Sequence, residues 1–169
     1  MRNGWIIKME NIRRKPTKLI EHGKTNYIVR IRNVTFLLLG LLILQFWLGM
    51  TINLEVNIPV KHLGAIQSIL YFGGHFDFVL VHIINGFAIL LVSLIFLILS
   101  FKTQLLSIRI CAIGILARVI GAIANGILFL MSGQFFGWSI GMAMSAVSVL
   151  IVSAITLYFI GENIKRELA

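Results

Sequence analysis

FVLVHIINGFAILLVSLIFLILS, residues 78 to 100, decides the fold. The stretch carries no charge, and its only polar side chains are His82, Asn85, Ser93 and Ser100. As a helix rising about 1.5 Å per residue it is roughly 35 Å long, enough to cross a hydrocarbon core of about 30 Å. A helix satisfies its backbone N–H and C=O groups internally, which lipid demands of any segment that crosses it. Three further stretches read the same way, at 34–53, 105–131 and 139–161.

The composition of the whole chain agrees. Of 169 residues, 59% are apolar and 12% charged, with a mean hydropathy of +0.96. Soluble domains carry roughly 25% charged residues. The fold class expected is therefore all-α, a polytopic bundle of four transmembrane helices.

The net charge of +9 comes from 15 Lys and Arg against 6 Asp and Glu. Nine of the positives (Arg2, Lys8, Arg13, Arg14, Lys15, Lys18, Lys24, Arg30, Arg32) precede the first span. Lys102 and Arg109 flank the link between spans two and three, and Lys165 and Arg166 follow span four. The opposite loops hold only Lys61. The positive-inside rule then places both termini in the cytoplasm of a multi-pass protein of the plasma (cytoplasmic) membrane. An amine reagent applied to intact cells is expected to label Lys61 and to spare Lys8 and Lys165; the reverse pattern would invert the topology. The basic residues lack a nucleic-acid reader motif, and orientation plus attraction to anionic inner-leaflet lipid, about 1 kcal/mol per Lys or Arg, accounts for them. No nucleic-acid partner is expected.

The organisation expected is a basic cytoplasmic or interfacial segment at 1–33, a transmembrane domain at 34–161 and a cytoplasmic tail at 162–169. The segment 1–33 is read as short interfacial helices on the inner leaflet. It is too long a basic region for a cleavable signal peptide, so span one stays as an anchor. In the outer loop, residues 54–77, IQSILYF reads as a short helix along the interface, with its aromatics at headgroup level. SGQFFGW forms a tight aromatic turn. Cys111 is a small packing residue.

Polar groups inside a membrane are costly and usually face the bundle interior. Measured from each outer end, Gln45, His82, Asn85, Asn125 and Ser145 lie roughly 6 to 12 Å deep. All four spans thus contribute to one outer-leaflet layer, rimmed by His62, His75 and Asp77. The layer reads either as interhelical hydrogen bonding or as the lining of a pocket, opening toward the outer loop, that admits water or a quinone headgroup. Gly121, Ala122, Gly126, Gly141 and Ser145 are small enough to bring helices close, within the span or between subunits.

His82 is the candidate ligand of a haem b, and Arg118, alone in span three, is the candidate partner of a haem propionate or of another subunit's carboxylate. Snorkelling to a lipid phosphate is the plainer reading of Arg118. The second haem histidine is missing: His75 lies about 10 Å along the same helix face, and a symmetric dimer supplying two copies of His82 is the least strained arrangement. His62, His75, Asp77 and His82 are suitable ligand types for zinc or copper but lack a helical i, i+4 pair, so no metal is expected. No catalytic nucleophile with its base, P-loop, dinucleotide fingerprint or H-E-x-x-H occurs, and enzyme activity is not expected.

LGMTINLEVNIPVKH, YFGG, LVHIINGFAILLV and GAIANGILFLMSG, in this order across residues 41 to 161, resemble an uncharacterised family of small prokaryotic four-helix integral membrane proteins. The resemblance implies a shared fold and shared His82, Asn125 and Gly126, with no activity attached. The chain departs from that pattern at Leu63, where a proline usually follows the loop histidine, and at Gln134, where an acidic residue is common. The leading expectation is a non-enzymatic membrane subunit or accessory protein, associated with other membrane subunits or with itself. A haem-binding electron-transfer protein and a small oligomeric transporter are the alternatives.

Overall fold

The computed structural model describes residues 3–55, 64–75, 77–103, 105–132 and 135–168, as backbone only for 3–26, 55 and 166–168. Within them lie five helices: α1 (Asn3–Glu55), α2 (Ala65–His75), α3 (Asp77–Lys102), α4 (Leu106–Met131) and α5 (Phe136–Leu168). Among the described residues there is no strand. The stretches long and apolar enough to cross a membrane are Tyr27–Leu54, Asp77–Lys102, Leu106–Met131 and Phe136–Lys165. The protein is an all-α, multi-pass membrane bundle.

Two boundaries differ from the expected ones. α1 runs without interruption from Asn3, so the basic segment continues the first spanning helix instead of forming separate short helices. Its packed face also begins earlier than residue 34, because Ile28 and Ile31 are buried while Arg30 and Arg32 point away. The Arg30 guanidinium lies 5.8 Å from the Tyr27 ring centroid. The 3.6-residue repeat lets an apolar stripe pass between two arginines, which a span drawn to begin after the last charge misses. α5 likewise continues to Leu168, through residues expected to form a tail. IQSILYF is helical as expected, within α2.

The helices form a ring: α1 packs on α3, α3 on α4, α4 on α5 and α5 back on α1, with no packing across either diagonal among the described residues. The α4–α5 seam is the most extensive of the four and the α1–α5 seam the least. Neighbours run antiparallel, as glycine contacts show. Gly49 faces His82 while Gly86 faces Gln45; Gly121 faces Ser145 while Gly141 faces Asn125. α2 lies against α3 and α4 at the end away from the termini. At the opposite end the α3–α4 link is tied down: Thr103 Oγ1 donates to the Ser100 carbonyl (2.8 Å), and Arg109 Nη2 donates to the Phe101 carbonyl (3.3 Å).

The buried side chains fall into two clusters. The larger fills the half towards the termini with Ile28, Ile31, Leu38, Leu42, Phe96, Ile108, Ile115, Val149 and Ile160 among others. The smaller, at the α2 end, holds Ile52, Phe72, Val79, Phe129 and Leu130. Between lipid-solvated helices, such packing contributes mainly through van der Waals contact. Between the two clusters lie the polar residues.

Candidate functional site

Most hydroxyls and amides in the spans are satisfied by their own helix. Thr35 bonds the Ile31 carbonyl (2.8 Å), Ser93 that of Ile89 (2.8 Å), Thr156 that of Val152 (2.9 Å) and Ser148 that of Met144 (2.7 Å). Such local bonds spare a polar group from lipid and specify no partner helix. Gln45, His82 and Asn85 differ, because their bonds run between helices.

Asn85, buried on α3, donates through Nδ2 to the Leu41 carbonyl of α1 (3.0 Å) and to Gln45 Oε1 (2.7 Å). Gln45 Nε2 lies 3.0 Å from His82 Nε2. The chain of bonds fixes its own proton positions. A backbone carbonyl only accepts, so the Asn85 amide nitrogen faces Leu41, and Gln45 must present its oxygen to that nitrogen. The Gln45 nitrogen then donates to His82 Nε2, which leaves the imidazole proton on Nδ1. That Nδ1 is buried and has no hydrogen-bond partner among the described residues.

The five residues of the expected layer do not join into one network. Asn125 turns back on its own helix and donates to the Gly121 carbonyl (2.9 Å). Its side chain sits against Gly141, where a Cβ would lie 2.8 Å from Asn125 Cγ and Oδ1. Ser145 is buried on α5, and its Oγ would be 3.9 Å from a Cβ on Gly121. The layer is thus two halves, a hydrogen-bonded one on α1 and α3 and a close-packed one on α4 and α5.

A cavity of about 220 Å³ lies between these halves, with Gln45, His82 and Ser145 in its wall. The rest of the wall is mostly apolar, and Gly49, Gly86, Ala122, Gly126, Ala143 and Ala146 contribute almost no side-chain volume to it. The lack of bulk at these positions opens the space that the two clusters leave between them. At the end towards α2, Asn53 Nδ2 donates to Ser139 Oγ (2.7 Å), joining α1 to α5 over the wall. Phe46 and Met50 on α1 and Ala143 on α5 also line the cavity, and all three are exposed. Phe87 on α3 is an exposed wall residue as well, so the cavity reaches the outside of the bundle, which in a membrane faces lipid, and three of these four residues flank the least extensive seam.

Sequence reasoning did not single out Gly49 or Gly86. Each lies four residues beyond a layer residue, Gln45 and His82, and so shares its helix face. A small residue one turn from a buried polar one is the signal that would have found them.

The remaining sequence candidates lie elsewhere. His75 and Asp77 are exposed at the α2 end, and His75 stacks on Tyr71 with ring centroids 4.2 Å apart. His62 lies outside the described residues. Arg118 is exposed on α4 and absent from the cavity wall, so the structure does not bring it together with His82. Among the described residues, no three His, Cys, Asp or Glu side chains gather as a metal site would require.

No protein-family model, curated protein or solved structure matches the chain.

Proposed function

We propose that this protein is a non-enzymatic subunit of a larger membrane assembly, joined to it through the face of α4 that carries Arg118. One observation carries the reading. Arg118 is exposed twelve residues into α4, about 18 Å along the helix by its rise. No ion pair or hydrogen bond occupies it among the described residues. An arginine at such depth costs about 2.5 to 3.5 kcal/mol on insertion scales, and charges of this kind usually face a protein interior or a counter-charge.

The counter-charge is not in this chain. The carboxylates nearest the spans are Glu55 and Asp77, at helix ends, and Glu162, in the last two turns of α5 and 3.7 Å from Lys165, so a second copy of the protein would supply none at the required depth. A different membrane helix bearing Asp or Glu fits. Beside Arg118, Ala117 and Ala124 are exposed and Gly114 has nothing within 4 Å of its Cβ position, which lets another helix approach closely. Cytoplasmic termini and residence in the plasma membrane are part of the same proposal, on the charge distribution given above.

The test is native electrophoresis of membranes solubilised in mild detergent. The wild-type chain is expected to migrate in a complex larger than its own oligomers, and Arg118→Leu to release it. In Arg118→Lys membranes, a lipid-permeable carbodiimide is expected to couple the new amine to a carboxylate of a second polypeptide. Arg118→Leu migrating as wild type, with no coupling in Arg118→Lys, would mean that the guanidinium reaches a lipid phosphate instead.

A further inference from the structure

We propose that the cavity between α1, α3, α4 and α5 is a binding site for a lipid-soluble molecule bearing a carbonyl oxygen, which accepts a hydrogen bond from His82 Nδ1–H. The inference is independent of the role given to Arg118. It rests on the tautomer, the space and the entrance.

The bonds from Leu41 through Asn85 and Gln45 leave His82 a neutral imidazole with its proton on Nδ1. That donor is buried without an acceptor among the described residues, a state that natural proteins seldom leave uncompensated. Next to it stands Gly49. A Cβ there would come within 3.3 Å of His82 Cε1 and 3.9 Å of Nδ1. With only hydrogen at that position, an oxygen entering from the cavity can approach the Nδ1 edge over Gly49 after a small rotation of the ring. A carbonyl oxygen suits this approach because it accepts and brings no donor of its own that would need a partner in an apolar wall.

The volume sets the size of the body. An apolar cavity of about 150 Å³ accommodates benzene, so about 220 Å³ accommodates one ring with a few methyl substituents. The entrance sets the phase from which it comes. The exposed apolar wall residues Phe46 and Met50 on α1, Ala143 on α5 and Phe87 on α3 face lipid, so a ligand arrives from the bilayer. Two bilayer molecules share the required chemistry, a quinone-type ring and a lipid ester, and the experiment separates them.

The full chain, with histidine labelled with nitrogen-15, is placed in nanodiscs of ether-linked phospholipid, which have no ester carbonyl. It is titrated with duroquinone and, separately, with durene, the same methylated ring without oxygen. Duroquinone is expected to bind about tenfold tighter, the factor that corresponds to about 1.4 kcal/mol for one hydrogen bond to a buried donor, and to shift the His82 Nδ1–H resonance. Durene is expected to enter and leave that resonance in place. Gly49→Ala should remove the preference while both rings still bind, and Ala146→Phe, which fills the cavity, should abolish both. If exchange into ester-linked lipid alone shifts the resonance, the natural occupant is a lipid ester. Equal affinities for the two rings with no shift in either lipid, or a preference that survives Gly49→Ala, would overturn the proposal. The wild-type comparison stands even if a variant fails to fold.

Discussion

Gly141→Leu is expected to destabilise the bundle by about 1 to 3 kcal/mol, the usual cost of forcing extra carbons into a packed interior. The position has no room. Even a Cβ at Gly141 would stand 2.8 Å from two atoms of Asn125 and 3.0 Å from a third. Asn125 cannot retreat freely, because its amide is bound to the Gly121 carbonyl at 2.9 Å. Leucine must therefore break that bond or part α4 from α5, and at the adjacent residues of the seam Met142 Sδ already lies 3.3 Å from the Cβ position of Gly126. Gly141→Ala should cost less, about 0.6 to 1.7 kcal/mol, if Asn125 swings aside and loses only its hydrogen bond. Gly40 is the control: it is exposed with nothing within 4 Å of its Cβ position, so Gly40→Leu should stay within about 0.5 kcal/mol of wild type. Unfolding in mixed micelles measures all three. A Gly141→Leu protein as stable as Gly40→Leu would show that α4 and α5 do not meet as described.

The second large effect belongs to Asn85. Replacing it by leucine removes both bonds from Nδ2 and leaves the half-buried Gln45 Oε1 without its donor, for a loss of about 1 to 3 kcal/mol. His82→Leu removes only the end of the chain, the contact with Gln45 Nε2, and should cost about 1 kcal/mol on the scale of membrane hydrogen bonds. The order matters more than the sizes. In a double-mutant cycle Gln45→Leu and Asn85→Leu should be strongly non-additive, since each removes the same bond. Additive losses, or a larger loss for His82→Leu than for Asn85→Leu, would contradict the bonding order from which the His82 tautomer follows.

The spans and the short helix before α3 were readable before any coordinates. Each depends on position along a helix, which residue number and helical rise determine. Rotation about the helix axis was less legible. Gln45, His82 and Asn125 share a depth, yet Asn125 turns to its own backbone while the other two bridge α1 and α3. Which of these happens depends on how far apart the facing backbones stand, a property of both helices and of the small residues between them. The start of the packed face of α1 was missed for a related reason: Arg30 and Arg32 ended the apolar run in the sequence, while Ile28 and Ile31 kept the buried stripe going on the other side of the helix. A pocket beside the polar layer was one of two readings the sequence allowed, but its size and its lateral opening were not legible, because they are made by what Gly49, Gly86, Ala122 and Gly126 lack and hydropathy does not record absent volume.

The separation of the apolar interior into two clusters gives the molecule a mechanical property. A continuous core resists compression everywhere, whereas here a cavity open to the surrounding lipid and walled by small side chains separates two dense tiers. Hydrostatic pressure favours whichever state has less internal void, and the lateral pressure of the acyl chains pushes inward on the helices at the same depth. Both act on the weakly joined α1–α5 seam, so a bilayer that packs its chains more tightly squeezes this layer before it disturbs either tier. The interior volume of the protein is in that sense tied to the state of the lipid around it.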